Sequence, residues 1–238
     1  VLKQLKDPDS RISIEDADEL IGQLIQTTGN EALCVQPPHK FNTHSSCQLQ
    51  HLFLCSNTLR EALYYMEKFS PLLSDLLEVN VTRTRDNIIK IKLPVHDNAF
   101  LASQRHRTEI IISIMLNWMR QLCGAELEVV GINVPFPATQ YQQQHSQQWR
   151  TTVQYNADEC SIQLHSKWLD EGLHKTNPHI LSMMKREVEE QYRKLARSGS
   201  LAERIRKALM QDKIRLNANQ QEVANYFHIS ARTLNRHL

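Results

Sequence analysis

Apolar residues recur at helical spacing in several separate stretches of the chain. Residues 13–28 carry acids in their first turn and stop before Gly29, the pattern of a helix with a glycine end. Residues 44–55 predict a second helix. Thr58 and Glu61 make a T-x-x-E capping box that opens a third, with Leu59, Leu63, Met66 and residues 69–71 on its apolar face. Residues 100–123 read as a long core helix, and the glutamine-rich 138–149 as a shorter, partly exposed one. A charged helix over 179–197 carries Leu181, Met184, Val188, Tyr192 and Leu195 at steps of three and four. That stripe suits packing on its own domain or a short coiled coil.

Period-two alternation marks the strands. Residues 77–84 and 88–93 alternate on either side of a polar break, a hairpin signal. Residues 126–134 read as a strand, and 151–155 with 160–165 as a second hairpin across 156–159. Strands joined by hairpins, with helices before and between them, predict an α+β fold with a mostly antiparallel sheet.

The last nineteen residues, QQEVANYFHISARTLNRHL, predict two short helices around a tight turn. Asn219 and Glu222 have capping-box spacing. Val223, Ala224 and Phe227 form the first inner face, Ile229 plugs the turn, and Ser230 can cap the next helix. With Ala231, Leu234 and Leu238 facing inward, Arg232 and Arg236 point outward, flanked by Thr233, Asn235 and His237. An arginine pair at i, i+4 on a second helix suits phosphate contact or bidentate reading of a guanine edge. This is the layout of a helix-turn-helix, and the plainer alternative is a solvated amphipathic hairpin. His228 stands where the turn commonly has glycine. Histidine tolerates a left-handed backbone better than most residues.

Composition adds a division. The 238 residues carry a formal net charge of only +2. Residues 183–238 hold twelve Lys/Arg against six Asp/Glu, whereas 1–182 hold sixteen against twenty. A basic end on a mildly acidic body fits a nucleic-acid footprint confined to one part of the chain. The five cysteines are irregularly spaced and include no CxxC pair, which reads as a reduced chain with buried thiols. No signal pattern opens the chain, and its apolar run at 110–119 is too short to span a bilayer. The expected location is cytoplasmic.

Candidate chemistry is sparse. His44, Cys47, His51 and Cys55 share a helical face, but over twelve residues they span about 16 Å at 1.5 Å per residue, so one ion reaches two neighbours at most. A third ligand would have to come from elsewhere, such as His39 or Cys34. No metal site and no cofactor is expected. Arg105, His106 and Arg107 suit either an acidic effector or a solvated first turn. Trp118 and Trp149 suit an apolar effector pocket or plain core. Arg105, His106, Trp118 and Trp149 are therefore the speculative effector residues. Neither HExxH nor GxSxG occurs, nor GxGxxG nor a Walker A loop, and the chain is expected not to be an enzyme.

HISARTLNRHL resembles the first helix-turn-helix of AraC/XylS-family transcription regulators, and SLAERIRKALMQ (200–211) resembles the helix that opens that family's DNA-binding domain. SNTLREALYYMEKFSPLLSD (56–75) and VPFPA (134–138) resemble the arabinose-binding-type N-terminal domain of one subgroup, with Asn57 where that subgroup often has Pro. The resemblance implies an effector and oligomerisation domain over 1–180, a linker helix over 181–199, and a partial all-α DNA-binding domain over 200–238. That family's reader carries two helix-turn-helix units, so the chain is expected to be a fragment lacking the second. It further implies operator DNA, an unidentified small-molecule effector and a possible homodimer as partners, no membrane, and DNA contacts from Arg232, Thr233, Asn235, Arg236 and His237. The competing readings are a small-molecule or metal-binding protein whose C-terminal helices only pack or dimerise, and an enzyme in which Cys, His and an acid converge in a cleft.

Overall fold

A computed structural model of the chain describes residues 14–36, 48–74, 77–84, 86–93, 101–171, 177–198, 205, 208–209, 214–215, 217–226 and 234. It divides into two compact units, Val1–Val188 and Glu189–Leu238.

In the first unit, α1 (Ile14–Thr28) ends at Gly29, whose φ of 63° is left-handed and whose N–H closes on the Ile25 carbonyl. Glycine takes that conformation without a Cβ clash. α2 (Gln48–Leu54) and α3 (Leu59–Phe69) follow. Thr58 caps α3 by accepting from the Glu61 N–H. The Glu61 carboxylate reaches one residue further back than a capping box requires, to the backbone and side-chain N–H of Asn57. α3 buries Leu59, Leu63, Met66 and Phe69, as its spacing selects, and Ala62 and Tyr65 besides; Pro71 falls past the helix and is partly exposed. A short 3₁₀ turn then leads to β1 (Asn80–Arg83) and β2 (Ile88–Leu93), an antiparallel hairpin with Asn87 at positive φ. α4 (Leu101–Cys123) is the long core helix, stopped by Gly124. β3 (Val129–Asn133), α5 (Gln142–Trp149), β4 (Val153–Gln154) and β5 (Cys160–His165) complete the sheet region. α6 (Pro178–Ser198) follows, and the division between the units falls within it.

The sheet order is β1-β2-β5-β3-β4. Every pairing is antiparallel except β3 with β4. This corrects the second expected hairpin, because β4 and β5 are not neighbours. β4 lies at the sheet edge, parallel to β3, and the intervening chain contains α5. Parallel strands need such a crossover, and the helix expected over 138–149 supplies it between β3 and β4. β5 instead inserts between β2 and β3, in register Ile91 to Ile162 and Ile89 to Leu164. Its Cys160, Ile162 and Leu164 are all buried, which suits a central strand, whereas β4 is two residues long and incompletely buried. Alternation makes the other sheet face polar, with Lys90 opposite Gln163 and Lys92 opposite Ser161.

The fold class is α+β. In the second unit, α7 (Gln220–Tyr226) begins at a reciprocal capping box: the Glu222 N–H donates to Asn219 Oδ1, and the Asn219 N–H to Glu222 Oε2, both at 3.0 Å. Ile205, Ala224 and Leu234 form a small buried cluster with Leu209 and Val223 against it. None of the helices is long and apolar enough to cross a membrane, among the described residues.

Candidate functional site

Two helices of the first unit carry polar and aromatic side chains at matching intervals. On α4, His106, Glu109 and Ser113 fall at i, i+3 and i+7, one helical face. Tyr141 and, on α5, His145 and Trp149 lie four apart; all three are buried, while the glutamines between them are wholly or partly exposed. The faces meet residue for residue. Tyr141 donates its hydroxyl to Glu109 Oε1 at 3.0 Å, His145 Nε2 approaches the same oxygen at 3.0 Å, and Trp149 Nε1 donates to Ser113 Oγ at 3.0 Å. Ser113 in turn donates to the Val35 carbonyl at 2.9 Å, tying down the loop after α1.

Glu109 is fully buried. Burial works against its charge, but hydrogen bonds from His106, His145 and Tyr141 outweigh it and hold the carboxyl below the usual carboxylate range. An ionised carboxylate only accepts, so the Nε2 of His145 carries a proton. In the neutral ring, Nδ1 then accepts from the Tyr155 hydroxyl at 2.8 Å. Phe136 packs on both of those rings. Burial and the Glu109 charge push the Tyr141 and Tyr155 hydroxyls up, so both remain donors.

Arg105 and His106 are not a solvated first turn. Arg105 packs over the Tyr141 ring, its Nε 4.0 Å from Glu109 Oε1, and a terminal nitrogen lies 3.4 Å from His106 Nε2. His106 Nδ1 meets Glu109 Oε2 at 3.3 Å. Arg107 pairs with Asp18 of α1 at 3.1 Å. Of the four speculative effector residues, Arg105, His106 and Trp149 join one network. Trp118 packs against Phe53 of α2, ring centres 5.7 Å apart, and both tryptophans are core.

A cysteine, a histidine and an acid do converge. The ligand atoms of Cys34, His106 and Glu109 all lie within 4.8 Å of one another. Cys34 and Glu109 are buried and His106 is mostly so. Burial, with a smaller contribution from the Glu109 charge, pushes the Cys34 thiol up to about 12. A thiol held that way is a poor nucleophile. Cys34 was only a reserve ligand by sequence, and Glu109 and His145 were missed. The period-four stripe of Tyr141, His145 and Trp149 was the available signal. Of the α2 donor stripe, His51 and Cys55 are partly exposed, and His44 and Cys47 lie outside the described residues.

Elsewhere, a polar cavity of about 400 Å³ is lined by Asn133, Gln154, Asn156, Ala157, Asp158 and Glu159. Glu159 beside it accepts from both Lys90 and Lys92. Arg232, Thr233, Asn235, Arg236 and His237 lie outside the described residues; between them, Leu234 is helical and buried.

Residues 2–173 match the family model described as the arabinose-binding domain of AraC transcription regulators, N-terminal. The chain belongs to this family. Its α+β unit is the N-terminal module of an AraC-type regulator. Its fold is similar to the crystal structure of the transcriptional regulator CdpR from Pseudomonas aeruginosa, with a TM-score of 0.55 at 14% identity, covering 97% of this chain and 80% of that one. No curated protein matches the chain.

Proposed function

We propose that this AraC-type chain is a non-enzymatic, cytoplasmic transcription regulator that senses a small molecule in its N-terminal unit and binds operator DNA through its C-terminal helices. The observation that carries this reading is the family match over residues 2–173, followed by a basic segment that includes a helix capped at Asn219 and a small core of Ile205, Ala224 and Leu234. In this reading Arg232 and Arg236 face the duplex, with Thr233, Asn235 and His237 beside them. Arg236 clamps a phosphate and Asn235 reads a base edge. To control DNA binding, the small molecule must bind one arrangement of the protein more tightly than another.

The test is fluorescence anisotropy of the complete gene product on the duplex upstream of its own gene, between about 50 and 200 mM salt, where phosphate contacts show as lost affinity. Arg236→Ala should weaken binding to all sequences and flatten the salt slope. Asn235→Ala should change base preference. A complete protein that shows no salt-dependent duplex binding overturns the reading.

A further inference from the structure

Three donors of different chemistry are gathered in the interior with their orientations already fixed. Glu109 and His106 stand one turn apart on α4, with Glu109 Oε2 and His106 Nδ1 3.3 Å apart. Cys34 comes from the loop after α1, where Ser113 donates to its carbonyl at 3.4 Å and to that of Val35 at 2.9 Å. The ligand atoms of all three lie within 4.8 Å of one another. Tetrahedral zinc, with bonds of roughly 2.0–2.3 Å to N, O and S, sets its ligands about 3.3–3.6 Å apart. One pair already meets that spacing, and the thiol needs to close by about 1 Å at most. The other Glu109 oxygen, Oε1, is held by Tyr141 and His145. Outer hydrogen bonds of this kind orient a ligating carboxylate.

We propose that Cys34, His106 and Glu109 form a site for one zinc-type divalent ion. The mixed S, N and O donors favour zinc or a similar borderline metal over magnesium or calcium. Binding displaces the Cys34 thiol proton and any proton on the ligating His106 nitrogen. The thiolate and carboxylate then balance the ion, leaving the Arg105 charge over. A fourth ligand that is anionic, such as hydroxide or a small carboxylate, restores neutrality. Arg105 Nε is placed to hold it, being buried, without a hydrogen-bond partner, and 4.0 Å from Glu109 Oε1. The site does not depend on DNA binding, and either reading can fail without the other.

The experiment titrates the chelator-stripped full chain with Co²⁺ and then Zn²⁺. One equivalent of Co²⁺ should give a thiolate-to-metal charge-transfer band, and Zn²⁺ should displace it and raise Tm. Cys34→Ser should abolish the band and weaken binding by more than about a hundredfold, since even outer-shell changes cost 10–100-fold. Near-UV circular dichroism reports whether that variant is folded. His106→Gln, at the least buried of the three donors, should weaken Co²⁺ binding at least tenfold and serves if Cys34→Ser does not fold. The double variant His51→Ala, Cys55→Ser should bind as the parent does. Absence of stoichiometric binding, binding without the thiolate band, or a band that survives Cys34→Ser would each overturn the proposal.

Discussion

Glu109 and His145 are 36 residues apart in sequence, both sealed from solvent, and joined Oε1 to Nε2 at 3.0 Å. The same carboxylate takes Tyr141 and His106, so one buried charge organises the contact between α4 and α5. Glu109→Ala leaves the buried Tyr141 and His145 and the partly buried His106 without their acceptor. It should cost about 3–5 kcal/mol, since each buried hydrogen-bonding group left unsatisfied costs about 1–3 kcal/mol. Glu109→Gln keeps an acceptor oxygen and should cost less, about 1–3 kcal/mol. Urea denaturation measures both; a loss below about 1 kcal/mol for Glu109→Ala would show the network to be dispensable to the fold.

A smaller, pH-dependent contribution comes from Glu159. Hydrogen bonds from Lys90 and Lys92 hold its carboxyl below the usual range. A depressed folded value means that the stabilisation is complete above the unfolded carboxylate value, about 4.3. It is lost as pH falls through the lower, folded value. The pair is partly exposed, so the effect should be no more than about 1 kcal/mol. Thermal melts of the parent and Glu159→Gln between pH 7 and 3 should converge in acid. Curves that stay parallel would contradict this.

Thiol reactivity should follow burial. Cys34 and Cys160 are pushed up to about 12 and Cys123 to about 11, chiefly by desolvation. At pH 8 their thiolate fractions are therefore about one in a thousand or lower. Native protein treated with a thiol reagent at pH 8 should modify Cys55, which is partly exposed, before any of these three. Peptide mapping by mass spectrometry reads the order, and modification of Cys160 as early as Cys55 would refute it.

Asn219 and Glu222 each satisfy an N–H that α7 would otherwise leave without a partner. Asn219→Ala should destabilise the start of α7 by about 1 kcal/mol, and Asn219→Ser should recover most of that. Hydrogen exchange at the Glu222 and Val223 amides is the measurement. Equal protection in all three proteins would mean that the cap contributes nothing.

Much of this was legible because it is local. The cap at Thr58, the stop at Gly29, the hairpin from Asn80 to Leu93 and the length of α4 depend on residues within a few positions of one another. The placement of β5 was not legible, because its neighbours β2 and β3 are chosen by burial across the sheet. The expected hairpin from 151 to 165 failed for that reason. α5 is glutamine-rich in sequence, and the partners of its buried His145 and Trp149 lie on another element, where local pattern does not reach.

By itself, then, the sequence determined the elements, their caps and the apolar faces they must bury, since backbone sterics and side-chain periodicity act over three or four residues. The meeting of Glu109 with His145, of Ser113 with Trp149, and of Cys34 with His106 was decided only by tertiary structure. A buried charge or thiol acquires its chemistry from groups more than thirty positions away, and only the packing of α4 against α5 and the loop after α1 brings them within bonding distance.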